Sequence, residues 1–399
     1  MGEAVSRLTH FLVIAFIARK IGAEALGYYA IAQTISQYVL TATDLGTRSI
    51  GTRMVATHHG SAGFVVTRVV RRRLSLAALC IPCGLIYALW GPIPEGGRLF
   101  VLLFILSIFP DTLTLDWLLL GLERFWTVGI VRAIMALLFT AISIVGIILT
   151  SGRIYPVAWA NFLSMAAAAI LIGLVWYFLL HPHEPGPAPG TTRFIRQEFL
   201  WKKAGWLSGA TILNQTFSTL DVLLLGALTT ATAVGYYNAA YKIIFLIFAV
   251  YSLFNQAVFP TIARLPQTIQ NRRSLFNFIG LLGIAGAAVT VLLFWIADDI
   301  ILLVYGHGFD QAVSLLRILL YVVPLALGSS LLGTIQIAWG MSRHLLISTG
   351  LGLIVNIGMN LYLIPLYGAT GAAWSVIAAY LVMLMSSTIL FFAADLSEA

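Results

Sequence analysis

Apolar runs bounded by charge, Gly or Pro recur along the whole chain, and about twelve of them are long enough to cross a bilayer, which takes about 20 residues per helix. The first six centre on residues 4–20, 28–47, 72–90, 99–120, 126–149 and 157–180. The second six centre on 204–226, 234–260, 276–297, 313–338, 345–365 and 370–393. Between the sets runs HPHEPGPAPGTTRFIRQEF, residues 181–199, which is Pro/Gly-rich and then basic, as a linker is. The pattern predicts an all-α integral membrane protein with an N-terminal six-helix lobe over 1–180, a cytoplasmic linker over 181–199 and a C-terminal six-helix lobe over 200–399.

The two sets echo one another. Gly27-Tyr28-Tyr29 superposes on Gly235-Tyr236-Tyr237. Leu120-Gly121-Leu122-Glu123-Arg124 falls on Trp339-Gly340-Met341-Ser342-Arg343 at nearly the same offset, and Arg98 and Arg317 match ahead of those turns. Collinear matches of this kind mark an internal duplication, the usual architecture of secondary transporters.

Composition agrees with lipid as the main solvent: 60% hydrophobic, 10% charged, mean hydropathy +0.95. Two cysteines exclude a disulfide framework, and Cys80-x-x-Cys83 lies in an apolar run without the soluble βαβ context of a redox motif. No secretory leader is expected, since no basic segment precedes the first apolar run. Only about eighteen residues precede Arg19, and they include Glu3, Arg7 and His10, so the chain is expected to begin inside a longer helix.

The net charge of +8 is distributed unevenly. With the first helix running outward, inner loops hold roughly fifteen basic residues, among them Arg48, Arg53, Arg68, Arg71, Arg72, Arg73 and Arg264, against roughly four in outer loops. By the positive-inside rule both termini are expected to face the cytoplasm across the inner membrane. The Arg68–Arg73 cluster has no aromatic interleaving, so it predicts orientation and contact with lipid headgroups rather than nucleic acid. His58 and His59 in the same loop have no further ligands nearby, and no metal is expected.

Charges inside spans cost several kcal/mol unless paired or hydrated, which makes them the candidate functional residues. Glu3, Arg7 and His10 share one face of the first helix, either lining a cavity or forming an ion pair at a helix start. Asp221 closes the polar run that begins Asn214-Gln215, and the repeat sets Gln215 on Arg7 and Ser218 on His10. The first helix of each lobe is therefore expected to line a cavity, with Asp221 taking a proton or cation, or else bonding a helix end. Lys242, after Tyr236, Tyr237 and Tyr241, either attracts a phosphate or snorkels to the interface. Arg132 has the same two readings, and both structural and functional roles are open for Asp44, Asp111 and Asp116. Pro82, Pro110, Pro260 and Pro324 fall inside or near the ends of spans and predict kinks. No GxxxxGK[ST], HExxH or GxSxG motif occurs, and no loop is long enough for a soluble catalytic domain, so an enzyme is not expected.

Four stretches resemble the bacterial polysaccharide flippases of the multidrug/oligosaccharidyl-lipid/polysaccharide (MOP) exporter superfamily. They are ARKIGAEALGYYAIAQ…DLGTRSIGTR from Ala18, GLERFWTVGIVRA from Gly121, LLVYGHGFDQAVSLLRILLYVVPL from Leu302 and NLYLIPLYGATGAAWSVIAAYLV from Asn360. The resemblance implies two six-helix lobes around a cationic cavity and a polyprenyl-diphosphate-linked oligosaccharide carried from inner to outer leaflet by alternating access. It implies cavity arginines and lysines on the diphosphate, no cofactor, and a proton or Na⁺ gradient as the drive. The expected substrate contacts are Arg7, Asn214, Gln215, Arg132 and Lys242. The expected cation-coupling residues are Asp221, Glu3 and Asp44. The implied setting is O-antigen, capsule or exopolysaccharide assembly, beside membrane lipids and a polysaccharide polymerase with its chain-length machinery. Rival readings are another exporter of the same superfamily, for the peptidoglycan lipid precursor or an amphipathic drug, a membrane-embedded glycan polymerase or glycosyltransferase, and a non-transporting scaffold.

Overall fold

The fold is that of a computed structural model, which describes residues 2–57, 62–180 and 201–393, with backbone alone at 2–8, 95, 179–180, 201–211 and 214. His58, His59 and the 181–199 linker lie outside the described residues. Among those described there are helices and no strands. Eight helices are long and apolar enough to cross a membrane, and a bent pair makes a ninth. The helices α1 (Gly2–Ile21), α2 (Ala23–Asp44) and α10 (Trp201–Leu228) lie outside that set. This is a multi-pass membrane protein.

The described chain divides into two compact units, Met1–Gln215 and Thr216–Ala399, with the boundary inside α10. In the first unit α2 ends at Leu45 and Gly46, both left-handed (φ 39° and 73°), and the chain turns into α3 (Thr47–Thr57). The loop expected to carry Arg48 and Arg53 is thus a helix. Asp44 starts it, accepting bonds from the Arg48 amide (3.2 Å) and the Thr47 hydroxyl (3.0 Å). After α4 (Ala62–Trp90), the fourth crossing is in three pieces: α5 (Glu95–Leu106), α6 (Ile108–Thr112) and α7 (Asp116–Gly121). Then come α8 (Phe125–Leu149) and α9 (Tyr155–Val175), the latter ending in a π turn over Trp176–Leu180.

The second unit continues α10 with α11 (Ala231–Arg264), α12 (Ile269–Trp295) and the short α13 (Ala297–Tyr305). Thr230 and Thr268 cap α11 and α12 through their hydroxyls. The tenth crossing is again broken, into α14 (Asp310–Leu319) and α15 (Val322–Ala338), bent by 42°. Helices α16 (Ser342–Tyr367) and α17 (Ala369–Ala393) follow. Ser107 and Tyr321, at the two breaks, each stand three residues before a proline, Pro110 and Pro324. A proline has no N–H and crowds the carbonyl four residues back, so each of these helices breaks just ahead of its proline.

Lipid tails supply little hydrophobic drive between helices, so close packing holds each unit together. In the first unit α3 meets α7 where both carry glycine. A Cβ on Gly51 would lie 2.7 Å from the Trp117 ring, and one on Gly121 would lie 2.8 Å from the Thr52 carbonyl. Around that crossing Met54, Val55, Val69, Trp117, Leu118 and Val128 form a buried core. The core of the second unit gathers Leu331, Leu332, Ile335, Trp339 and Phe391.

Candidate functional site

Each unit holds a polar constellation inside its apolar helices. In the first, two arginines reach into the break of the fourth crossing, where the Asp111 carbonyl also accepts the Thr114 amide (3.1 Å) and hydroxyl (2.7 Å). Arg73, with no exposed surface, donates to Thr114 O (3.2 Å), Asp111 O (3.0 Å) and Asp111 Oδ2 (3.3 Å). Arg48 donates to Asp111 Oδ2 at 2.6 Å and to Thr114 Oγ1 at 3.3 Å. Asp44 approaches both guanidinium groups (3.9 and 3.8 Å), and Asp116 pairs with Arg132 at 3.3 Å and Arg48 at 4.0 Å. Three arginines face three aspartates, so the cluster is balanced in formal charge.

Reading the whole Arg68–Arg73 run as loop charge therefore fails at Arg73. Helical periodicity carries the signal. Ala62, Val65, Val69, Arg73 and Ala77 share the buried face of α4 at steps of three and four, so Arg73 projects into the unit. Arg272 is a second case, buried on α12 and donating to Phe391 O at 2.9 Å.

Beside the cluster lies a cavity of about 310 Å³ with a polar wall of Arg48, Asp111, Thr114, Asp116 and Arg132. A smaller cavity of about 120 Å³ shares Arg132, Met135 and Met165 with it and reaches Thr9, His10 and Asn161. The His10 ring stacks on Phe139, and its Nε2 is hydrogen-bonded to the buried Tyr29 hydroxyl at 2.6 Å and approached by Gln33 Nε2 at 3.2 Å. A polar track thus runs through the first unit from the arginine–aspartate cluster to the first helix.

The second unit is built differently. Asp221 is 4% exposed, and its partners are neutral. Asn356 and Asn360 donate their Nδ2 groups to Oδ1 at 3.0 and 2.6 Å, and the Tyr237 hydroxyl donates to Oδ2 at 3.3 Å. No arginine or lysine pairs with it among the described residues. Tyr237 stacks on Tyr241 at 5.9 Å. Tyr29 and Tyr237 are equivalent in the repeat, and each bonds a titratable side chain on the first helix of its unit. The partner in the second unit is Asp221, one turn beyond Ser218, the position equivalent to His10.

Of the other expected residues, Lys242 lies over the Phe245 ring at 5.8 Å, and Gln215 is half-buried on α10. The side chains of Glu3, Arg7 and Asn214 lie outside the described residues. Asp44 is committed to capping α3 and to two arginines.

A family model described as polysaccharide biosynthesis protein matches residues 1–266. The chain belongs to that family. It is also 27% identical over 223 residues to the probable flippase AglR of Haloferax volcanii, a match covering 54% of this chain and 45% of the relative. The chain thus spans about half the length of the curated relative it matches. Among solved structures, its fold resembles an inward-facing multidrug resistance MATE family transporter of the MOP superfamily (14% identity, 98% of this chain and 96% of that one, TM-score 0.74). It also resembles the lipid II flippase MurJ in an inward closed conformation (13% identity, 98% and 86%, TM-score 0.66). Its all-helical fold is the one these transporter structures share.

Asn356 and Asn360 escaped the sequence reading because neither carries charge. They sit in a stripe of buried Ser348, Gly352, Asn356, Asn360 and Ile364, one residue every fourth position along α16. A stripe of small and amide residues on one helix face is the signal that finds them.

Proposed function

We propose that this family member is a flippase that carries a polyprenyl-diphosphate-linked oligosaccharide from the inner to the outer leaflet, without catalysing a reaction, and that Asp221 couples the cycle to a cation. The observation that carries the coupling is the neutrality of the Asp221 surroundings. A bare carboxylate buried in a span costs several kcal/mol, so it must hold a proton or a cation in at least one state. A half-turn of an asparagine amide exchanges its N–H donors for an oxygen. The Asn360 oxygen has no hydrogen-bond partner among the described residues. Asp221, Asn356 and Asn360 therefore offer oxygen ligands to a monovalent cation, or hydrogen bonds to a carboxyl that has taken a proton.

In the first unit Arg7 and Arg132 supply positive charge for the diphosphate and Asn214 and Gln215 contribute polar contacts, Lys242 is a separate candidate in the second, and the polyprenyl tail stays in lipid. The network of Arg48, Arg73, Asp44, Asp111 and Asp116 holds the broken fourth helix rather than substrate. Glu3 is a further candidate for coupling on the first helix. Leaflet exchange in liposomes tests the reading, with three fluorescent cargoes: a polyprenyl-diphosphate-linked oligosaccharide, the peptidoglycan lipid precursor and a cationic dye. The expected result is protein-dependent exchange of the first. Movement of the second or third alone would assign the chain to another cargo, and movement of none would remove the flippase reading.

A further inference from the structure

The second unit carries a polar surface separate from the Asp221 network, with Lys242 over the Phe245 ring at one end of it. On α11, Phe245, Ser252, Gln256 and Phe259 are spaced by seven, four and three residues, so they form one strip along the helix. Phe245 and Phe259 are 45% and 38% exposed, and Gln256 between them is exposed too. Asn255 flanks the strip and donates its Nδ2 to Ser330 Oγ of α15 at 2.8 Å, with Thr334 one turn further on. The Asn255 oxygen has no partner among the described residues, and the Ser330 hydroxyl gives its proton to none of them. Gln256 donates an N–H to the Ser252 carbonyl at 3.3 Å, and its side chain is exposed.

The exposed amide of Gln256 and hydroxyl of Ser330 do not suit a lipid-facing surface, since an unmet polar group in hydrocarbon costs several kcal/mol. The apolar Val250 and Leu253, 72% and 66% exposed, lie on a separate sector of the same helix, where lipid fits. No Asp, Glu, Lys or Arg occurs on α11 between Lys242 and Arg264, or anywhere on α15. The surface therefore suits neither a phosphate nor a metal ion. It suits a molecule whose own groups both give and accept hydrogen bonds and whose remaining faces are C–H. That is the chemistry of a sugar, with paired hydroxyls for Gln256 and Ser330, which Asn255 holds in place, and apolar ring faces for Phe245 and Phe259. From Phe245 to Phe259 the strip runs about 21 Å, the length of a short oligosaccharide.

We propose that this strip, Phe245 to Phe259 on α11 with Ser330 and Thr334 on α15, is the saccharide subsite of the transported lipid. It rests on the flippase reading, and it makes cargo selection a property of uncharged groups. The test is leaflet exchange of two fluorescent probes, a polyprenyl-diphosphate pentasaccharide and the same lipid bearing one sugar, by native protein and by Gln256→Ala and Ser330→Ala. Gln256 bonds only its own helix, so its replacement leaves the unit's packing intact, and a thermal melt equal to native verifies this. The expected result is a half-saturating concentration about tenfold higher for the pentasaccharide lipid in the variants, with the one-sugar lipid changed less than about twofold. An unchanged pentasaccharide lipid, or equal losses on both probes, would overturn the subsite while leaving the flippase in place. A native protein that moves neither probe would overturn both.

Discussion

Asp111 and Asp221 are both aspartates folded into apolar helices, and their partners give them opposite roles. Asp111 is gripped by Arg48 and Arg73, which also donate to carbonyls at the helix break. Removing one member of a buried pair strands the other, so Arg73→Ala should lower stability by about 3–5 kcal/mol. Thermal melting in detergent micelles should register it, with Arg73→Lys restoring only part, because lysine lacks the planar fork that reaches two carbonyls and a carboxylate at once. Asp221 has only neutral donors among the described residues, and on the proposed reading it is the group that exchanges a proton or cation. Asn360→Leu keeps the volume but removes the 2.6 Å contact to Oδ1. Exchange measured against Na⁺ concentration or pH should then need about tenfold more of the coupling ion for half its effect. Asp221 was legible in the sequence as a charge inside a span. Its asparagine partners lie 135 and 139 residues away, and no local pattern pairs residues so distant.

At the scale of the elements, the breaks and glycine crossings decide the geometry. A methyl on Gly51 has no room beside Trp117, so Gly51→Ala should cost about 1–3 kcal/mol, measured by the same melt. The carbonyl of Leu320 at the tenth-crossing break is met by the Thr290 hydroxyl at 3.0 Å, and Thr290→Val should cost about 1 kcal/mol. The crossings were readable because each is an apolar run between turn signals. The bends were readable only as prolines, Pro110 and Pro324, without the point at which the chain turns. Helix α3 was hidden behind Arg48 and Arg53, which look like loop charges until Met54 and Val55 are seen buried beneath them. Arg73 likewise counts as loop charge in a tally of basic residues, yet helical spacing puts it on the inner face.

At the scale of the molecule, the duplicated motif recurs as structure. Tyr29 and Tyr237 occupy equivalent buried positions and bond unlike groups, His10 and Asp221. The two units have thus kept a framework and diverged in chemistry, a charge-balanced arginine–aspartate cluster in one and a lone carboxylate in the other. On the proposed reading, coupling belongs to the second unit. Its most direct test is exchange of a polyprenyl-diphosphate-linked oligosaccharide in liposomes, driven by an imposed Na⁺ or proton gradient, for native protein and for Asp221→Asn. The account predicts that a gradient accelerates native exchange and that the variant, folded to the same melting temperature, exchanges without responding to either gradient. A variant that still responds like the native protein would contradict it.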